Sequence, residues 1–223
     1  MSPSHAGQAA ADVSVRPALP EDATTLGAVH ARTLRATLAA GVGRDLGPQV
    51  AAMIDPAALA DQWSRAITAP PSPRHRVLTA VDGARIVGFA AFAPAEVPVE
   101  VRGPDRTDDA ADAADSSGET DTDTADQAGP TALATAEPGE VAELLALEVP
   151  AAEGRRGHGS RLLAACADLL REQGAARLQT WVVREDEVRT RFLAQAGFAP
   201  AGVRRTLDVA GEDVTEVCWY AEL

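Results

Sequence analysis

The chain has 223 residues, enough for one substantial domain, and its hydrophobic content of 46% supports a packed core. The formal net charge of −13 at pH 7 argues against nucleic acid as a partner, because phosphate backbones need a basic surface. The two cysteines, Cys166 and Cys218, give no disulfide framework, and each lies in an apolar pattern typical of a buried small hydrophobe. No apolar run has the length of a membrane span, and residues 1–12 lack the pattern of a signal peptide. We therefore expect a cytoplasmic protein with no membrane partner.

The first half of the chain begins with a predicted strand and two predicted helices. Residues 13–16 alternate like a strand, and the small, polar residues 1–12 before them predict a disordered leader. Apolar residues recur at helical spacing from Pro20 until a break that begins at Gly41, and again over residues 56–69.

A hairpin and an acidic segment follow. Asp82-Gly83 is a strong hairpin signal between predicted strands over residues 76–81 and 85–92. Residues 96–138 then change character: between Pro104 and Pro138, ten acidic residues and one arginine give a net charge of −9. This composition buries too little apolar surface to fold and predicts a disordered insertion between two strands. The spacing of a calcium-binding loop is absent, so we expect no metal.

The most informative stretch runs from residue 143 to residue 170. An apolar run with strand character ends at Pro150, a glycine-rich turn follows, and apolar residues then recur at helical spacing. A helix start has unpaired backbone N–H groups which, together with the helix dipole, attract phosphate. Arg155 and Arg156 in the turn add positive charge. The stretch therefore predicts a phosphate-bearing cofactor on a strand-turn-helix unit.

The rest of the chain predicts a strand, a helix and a final hairpin. Residues 176–183 are apolar and rich in β-formers, and Asp186 is placed to cap a helix that ends before Gly197. Residues 203–209 and 214–223 predict two further strands. Helices interleaved with strands in a mixed sheet indicate a single α/β (α+β) domain over residues 13–223, interrupted by the acidic insertion.

These residues resemble the GCN5-related N-acetyltransferase (GNAT) superfamily, over about residues 13–223 apart from the insertion. The family's acetyl-CoA motif, R/Q-x-x-G-x-G/A after the fourth strand, is matched by Gly157 and Gly159. Gly154 stands at the leading Arg/Gln position and departs from the pattern, and the neighbouring arginines are expected to restore the charge. A Rossmann dinucleotide site is disfavoured, because G-x-G-x-x-G is not satisfied.

Two weaker marks support the resemblance. Arg16-Pro17 with Glu21-Asp22 is similar to the family's opening, and residues 192–198 are similar to its F-Y-x-x-x-G-F signature. Leu193 occupies the position where many relatives have a tyrosine that protonates the departing thiolate. The single tyrosine, Tyr220, lies in the last strand and cannot be assigned that role.

The resemblance implies a set of residues that bind acetyl-CoA. Backbone amides of the turn would hold the pyrophosphate, the strand before it would offer main-chain partners to the pantetheine arm, and Asp186 stands where relatives often have an asparagine that contacts CoA. Capping alone would also explain Asp186, and His158 is expected to be exposed rather than catalytic. The implied cofactor-binding residues are Leu147, Glu148, Val149, Arg155, Arg156, Gly157, His158, Gly159, Ser160 and Asp186.

Glu143 is the candidate general base, because it matches the position where some family members carry one. Strand alternation is expected to place Glu143 on one face with Leu145 and Leu147, and Glu148 on the other. The alternative for Glu143 is a carboxylate at the rim of the strand without a catalytic role.

The resemblance implies an N-acetyltransferase that transfers acetyl from acetyl-CoA to an amine in a ternary complex. The acceptor would be a small molecule, a protein N-terminus or a lysine, and the acidic balance favours a cationic one. The alternative, motivated by Leu193, is an acyl-CoA-binding sensor or interaction module that has lost catalysis. The residues specify neither the acceptor nor an oligomeric state.

Overall fold

The computed structural model describes residues 13–99 and 140–223, which form a mixed sheet of seven strands flanked by helices. The strands are β1 Val13–Pro17, β2 Arg76–Asp82, β3 Arg85–Pro94, β4 Val141–Glu148, β5 Arg177–Val183, β6 Ala199–Val209 and β7 Glu212–Glu222. The helices are α1 Ala23–Val42, α2 Pro48–Met53, α3 Pro56–Thr68, α4 His158–Glu172 and α5 Glu187–Gln195. The strand order is β1-β2-β3-β4-β5-β7-β6, and β4 with β5 is the parallel pair in an otherwise antiparallel sheet. The predicted fold class is confirmed.

Most predicted elements are present, with two differences before β2. The helical pattern was expected to break at Gly41, but α1 continues to Val42 and ends at Gly43, which adopts φ 72°. Gly41 lies inside the helix, where packing requires glycine, since a Cβ would come within 2.6 Å of Val214 and 2.9 Å of Val183. The short helix α2 was not predicted.

Part of the predicted domain organisation lies outside the described residues. This applies to the leader, residues 1–12, and to residues 100–138 of the acidic insertion. Within residues 13–99 and 140–223, no helix combines the length and the apolar character needed to cross a membrane.

Each face of the sheet carries its own core. The face covered by α4, called the α4 face, is packed with residues such as Leu78, Leu162 and Cys166. The opposite face, called the α1 face, is packed around Leu26 and Phe89. Cys166 and Cys218 are both fully buried, as predicted.

A β-bulge at Leu145 interrupts β4. Ala91 pairs with Ala146 and Phe92 pairs with Leu144, so Leu145 has no partner on β3 and its side chain is 58% exposed. An extra residue of this kind reverses the alternation of side chains beyond it. Leu144 accordingly belongs to the α4-face core, whereas Ala146 belongs to the α1-face core.

The bulge corrects the expected placement of two carboxylates. Glu143 was expected to share a face with Leu145 and Leu147, and Glu148 was expected on the other face. Leu147 instead packs against the α4-face core, while Glu143 and Glu148 both lie on the α1 face. The two carboxylates were expected on opposite faces of the sheet, but both lie on the α1 face.

Beyond the bulge, β4 and β5 separate. Their parallel pairing covers only Val141 to Glu143 against Arg177 to Gln179, although β5 continues to Val183 alongside β7. The Thr180 hydroxyl donates to the Leu144 carbonyl at 2.9 Å, at the point where the backbone pairing stops. Among residues 13–99 and 140–223, the edge of β4 that faces β5 therefore has no strand partner from Leu145 to Glu148.

An ion pair joins β1 to the start of α1. The Arg16 guanidinium donates to both carboxylate oxygens of Asp22, at 2.6 and 2.9 Å, and Asp22 also accepts from the Leu19 N–H and the Thr79 hydroxyl. Burial alone would raise the pKa of Asp22, but these hydrogen bonds hold it below its ordinary value. Asp22 thus contributes stability that is present above the unfolded-state pKa of about 4 and is lost as the pH falls through the folded-state value.

We expect Asp22→Asn to lower the free energy of unfolding by about 2 kcal/mol at pH 7, because a buried charged acceptor is lost. Urea titrations should show this difference shrinking as the pH falls, since protonation removes the same charge from the wild type. The exposed neighbour provides the control, and Glu21→Gln should be close to neutral. An equal loss of stability in both variants at pH 7 would contradict the assignment.

Candidate functional site

The turn before α4 leaves several backbone N–H groups without acceptors. Gly157 is the N-cap with φ 79°, and it makes no side-chain cap. The first helical bond runs from the Arg161 N–H to the Gly157 carbonyl at 3.0 Å. The amides of His158, Gly159 and Ser160 find no acceptor among residues 13–99 and 140–223, so they can receive an anion at the positive end of the helix dipole.

The arginines of the turn differ in what they contact. Arg156 pairs with Glu153 at 3.2 Å, and Glu153 is also bound by Arg85 at 2.9 Å. Arg161 donates to the Arg156 carbonyl at 2.9 Å and so braces the turn. Arg155, with φ 62°, makes no ion pair or hydrogen bond within the described part of the chain. Its exposed guanidinium is available to an anionic ligand.

His158 is buried, contrary to the expectation that it is an exposed residue. Only 2% of its surface is accessible, and neither ring nitrogen has a hydrogen-bond partner in the part of the chain that the structure describes. Leaving two buried polar atoms unsatisfied is costly. Because His158 is the first residue of α4, its imidazole lies beside the free backbone amides.

The two sequence signatures lie together in space. A Cβ on Gly159 would lie 3.5 Å from two ring atoms of Phe192, the first residue of the second signature. A Cβ on Gly157 would lie 2.9 Å from the Arg161 guanidinium, in a backbone conformation that already favours glycine. The structure therefore explains why the motif requires glycine at the first position and tolerates alanine at the second.

The unpaired edge of β4 leads from the bulge towards this turn. Leu147 and Val149 direct their side chains to the α4-face core, which leaves the main-chain groups of the strand for the gap opposite β5. These groups suit an extended, amide-containing ligand that pairs as an additional strand would. The gap and the helix start are adjacent along the chain and form one candidate site.

Glu143 lies at the last paired position of β4, half-buried and opposite Gln179. The Gln179 side-chain amide donates to Glu143 Oε2 at 2.9 Å. Glu143 Oε1 accepts no hydrogen bond from residues 13–99 or 140–223. The carboxylate is thus anchored through one oxygen, and the other can accept a proton.

Glu148 forms a buried ion pair that was not foreseen. Its carboxylate accepts from Arg189 of α5 at 3.0 and 3.1 Å and is 6% exposed. Burial would raise the pKa of Glu148, but Arg189, a hydrogen bond from Thr33 and the charge of His30 lower it below its usual range. The pair connects β4 with α5 on the α1 face, so Glu148 directs its side chain away from the α4 turn.

The remaining candidates have structural partners. Asp186 caps α5 as predicted, accepting from the Arg189 N–H at 3.0 Å, and the Thr37 hydroxyl donates to it at 3.4 Å. Leu193 is 1% exposed within the α4-face core. Tyr220 pairs with Gln179 in the sheet, so β5 lies between Tyr220 and Glu143.

Sequence reasoning missed Gln179 and Arg189. The sequence contains a signal for each. Gln179 is the one side-chain amide in the largely apolar strand RLQTWVV, and Arg189 stands three residues after the cap Asp186. Neither signal identifies the partner, since Glu143 and Glu148 both lie in β4, which is distant in the sequence from Gln179 and Arg189. Only the fold brings them together.

A phosphate-bearing cofactor fits the residues present. The free amides of α4 and the exposed guanidinium of Arg155 are the donors that a pyrophosphate requires. The unpaired strand edge extends from these donors to the neighbourhood of Glu143.

Comparison with known proteins points in the same direction. The sequence model of the Acetyltransferase (GNAT) family matches residues 49–198. A comparison with curated proteins gives no match.

Several solved structures share the fold. The chain is similar to the ribosomal-protein-alanine N-acetyltransferase from Brucella melitensis, with 16% identity and a TM-score of 0.58 over 94% of this chain and 99% of that one. It is similar to the PaiA N-acetyltransferase from Thermoplasma acidophilum in complex with coenzyme A, with 15% identity and a TM-score of 0.57 over 95% and 99%. A GCN5-related N-acetyltransferase from Rhodopseudomonas palustris gives 19% identity and a TM-score of 0.55 over 95% and 96%. At such identities these similarities show the fold alone.

We expect Gly157→Ala to weaken coenzyme A binding about tenfold, because alanine disfavours the left-handed conformation at φ 79° and the turn that presents the amides would rearrange. Gly159→Ala is the matched control, since its Cβ would make only ordinary contacts, and its affinity should stay within about twofold of wild type. Isothermal titration calorimetry with coenzyme A measures both. Equal affinities of the two variants would contradict the role of the turn.

Proposed function

Because the chain belongs to the Acetyltransferase (GNAT) family, we propose that it is an N-acetyltransferase that transfers acetyl from acetyl-CoA to an amine. Acetyl-CoA would supply the acetyl group as a thioester, already activated for attack. The observation that carries the proposal is the start of α4, where amides that have no acceptor among the described residues adjoin the open edge of β4.

The chain's own residues divide the task between binding and proton transfer. The amides of His158, Gly159 and Ser160, with the guanidinium of Arg155, would hold the pyrophosphate. Main-chain groups at Leu147 and Val149 would orient the pantetheine arm along the strand edge. We assign no cofactor contact to the side chains of Glu148 and Asp186, because each already has partners within the protein.

Glu143 is the proposed general base. An amine of pKa about 10 is protonated at neutral pH and must lose a proton before it attacks. Glu143 Oε1 would accept this proton, directly or through a water molecule, while Oε2 stays bound to Gln179. The thiol that leaves has a pKa of about 8.5, so it departs without a dedicated acid and Leu193 does not prevent the reaction.

Direct transfer between two bound substrates is favoured over an acyl-enzyme. Burial raises the pKa of the Cys166 thiol to about 12, and burial together with the charge of Glu143 raises that of Cys218 to about 11. At pH 7 only about one Cys218 in ten thousand would be a thiolate, the form that attacks a thioester. The proposed reaction therefore needs no protein nucleophile.

The acceptor is proposed to be a primary amine that carries positive charge. The net charge of −13 draws cations to the protein, and the candidate base is itself a carboxylate. A small polyamine-like cation, a free protein N-terminus and a lysine all have this chemistry. We also propose that the protein acts in the cytoplasm, since its thiols are buried and unpaired.

We expect acetyl-CoA to be consumed when a panel of such amines is added, and Glu143→Gln to lower kcat about a hundredfold while coenzyme A affinity is unchanged. Thioester turnover and calorimetry measure the two quantities. Tight coenzyme A binding without turnover on any amine would replace the proposal with an acyl-CoA-binding sensor. No thermal stabilisation by acetyl-CoA would reject both.

We expect Cys218→Ala and Cys166→Ala to retain the turnover of the wild type within about threefold, since neither thiol forms a covalent intermediate. Intact-mass measurement of the wild type with acetyl-CoA and no amine should show unmodified protein. A mass increase of one acetyl group that disappears in Cys218→Ala would instead establish an acyl-enzyme.

A further inference from the structure

Gln179 is a buried amide on the α1 face, directly beside the candidate base. It is 1% exposed and lies in the register position opposite Glu143. A buried amide is stabilising only when its polar atoms find partners. Three hydrogen bonds provide them: one to Glu143, one from the N–H of Val99 and one to the carbonyl of Val97.

The backbone of residues 97–99 fixes which way the amide points. The Val99 N–H can only donate, so the atom 2.9 Å from it must be the oxygen, Oε1. The Val97 carbonyl can only accept, so the atom 3.1 Å from it must be the nitrogen, Nε2. A flipped amide would lose both bonds and would turn its oxygen towards the Glu143 carboxylate.

The remaining hydrogen of Nε2 is therefore directed at Glu143 Oε2, 2.9 Å away. This hydrogen bond satisfies one of the two carboxylate oxygens. The contact also fixes the rotation of the carboxylate, so that Oε1 stays free for the acceptor. We infer that Gln179 is a positioning residue for Glu143, and that the chain segment 97–99 sets its orientation.

This inference rests on the proposed function and adds a dependence to it. The segment 97–99 connects β3 to the part of the chain that precedes β4, and it makes no contact with the phosphate-binding turn in the described residues. Its influence should thus appear in proton transfer and not in coenzyme A affinity.

The first test is a double-mutant cycle between Gln179→Leu and Glu143→Gln. Gln179→Leu should lower kcat about ten- to a hundredfold, because the base is no longer held in place, with coenzyme A affinity unchanged. In the Glu143→Gln background the same substitution should change kcat less than about twofold, since it acts through Glu143. An equal loss in both backgrounds would overturn the inference.

The second test uses Gln179→Glu, which has nearly the same shape and keeps an acceptor for the Val99 N–H, and thermal unfolding checks that both Gln179 variants are folded. A second carboxylate beside Glu143 disfavours ionisation of the pair, so the acid limb of the kcat/KM profile should move up by about one pH unit or more. Thr180→Val is the structural control. It removes a neighbouring buried hydrogen bond from β5 on the other face, to Leu144, and should leave the acid limb in place.

The third test removes the donor that orients the amide. Val99→Pro deletes the N–H bound to Oε1 and should lower kcat in the same direction as Gln179→Leu, by a smaller factor of about three- to tenfold. The tests separate two failures. If Glu143→Gln has no effect on turnover, the proposed base is wrong and this inference falls with it. If Glu143→Gln impairs turnover but the Gln179 variants do not, the inference alone is wrong.

Discussion

The β-bulge at Leu145 is the constraint on which the rest of the site depends. One unpaired residue in β4 reverses the side-chain alternation and bends the strand away from β5. The reversal places Glu143 and Glu148 on one face, and the bend exposes a strand edge that leads to the start of α4. A regular β4 paired with β5 along its whole length would have no free main-chain groups opposite β5 between Leu145 and Glu148.

The proposed anchoring groups and the proposed base lie on opposite faces of the sheet. Positive charge and free amides gather at α4, whereas the carboxylates Glu143 and Glu148 lie on the α1 face with the side chains that hold them. Within the described parts of the chain, Glu143 keeps one oxygen without a donor, whereas both oxygens of Glu148 accept from Arg189. The burial of Leu193 fits this division, because the position that is a proton donor in many relatives here belongs to the core.

The sequence predicts well those features that local chemistry determines. The hairpin at Asp82-Gly83, the cap at Asp186 and the glycine-rich turn before α4 follow from the residues themselves. The bulge cannot be predicted in this way. No glycine or proline marks it in the sequence around Leu145, and it arises from the pairing of β4 with β3. The burial of His158 and the continuation of α1 through Gly41 are likewise set by packing partners that are distant in the sequence.

The attachment of residues 97–99 also determines where foreign sequence could be accepted. Val99 bonds to Gln179, and the Glu140 carbonyl accepts from the N–H groups of Ala176 and Arg177, so both flanks of residues 100–139 end beside the start of β5. Because the two anchored ends lie close together, this position is suited to the insertion of a foreign domain or reporter. A graft joined after Val99 would keep the hydrogen bond from the Val99 N–H to Gln179, while one joined a few residues earlier would remove it.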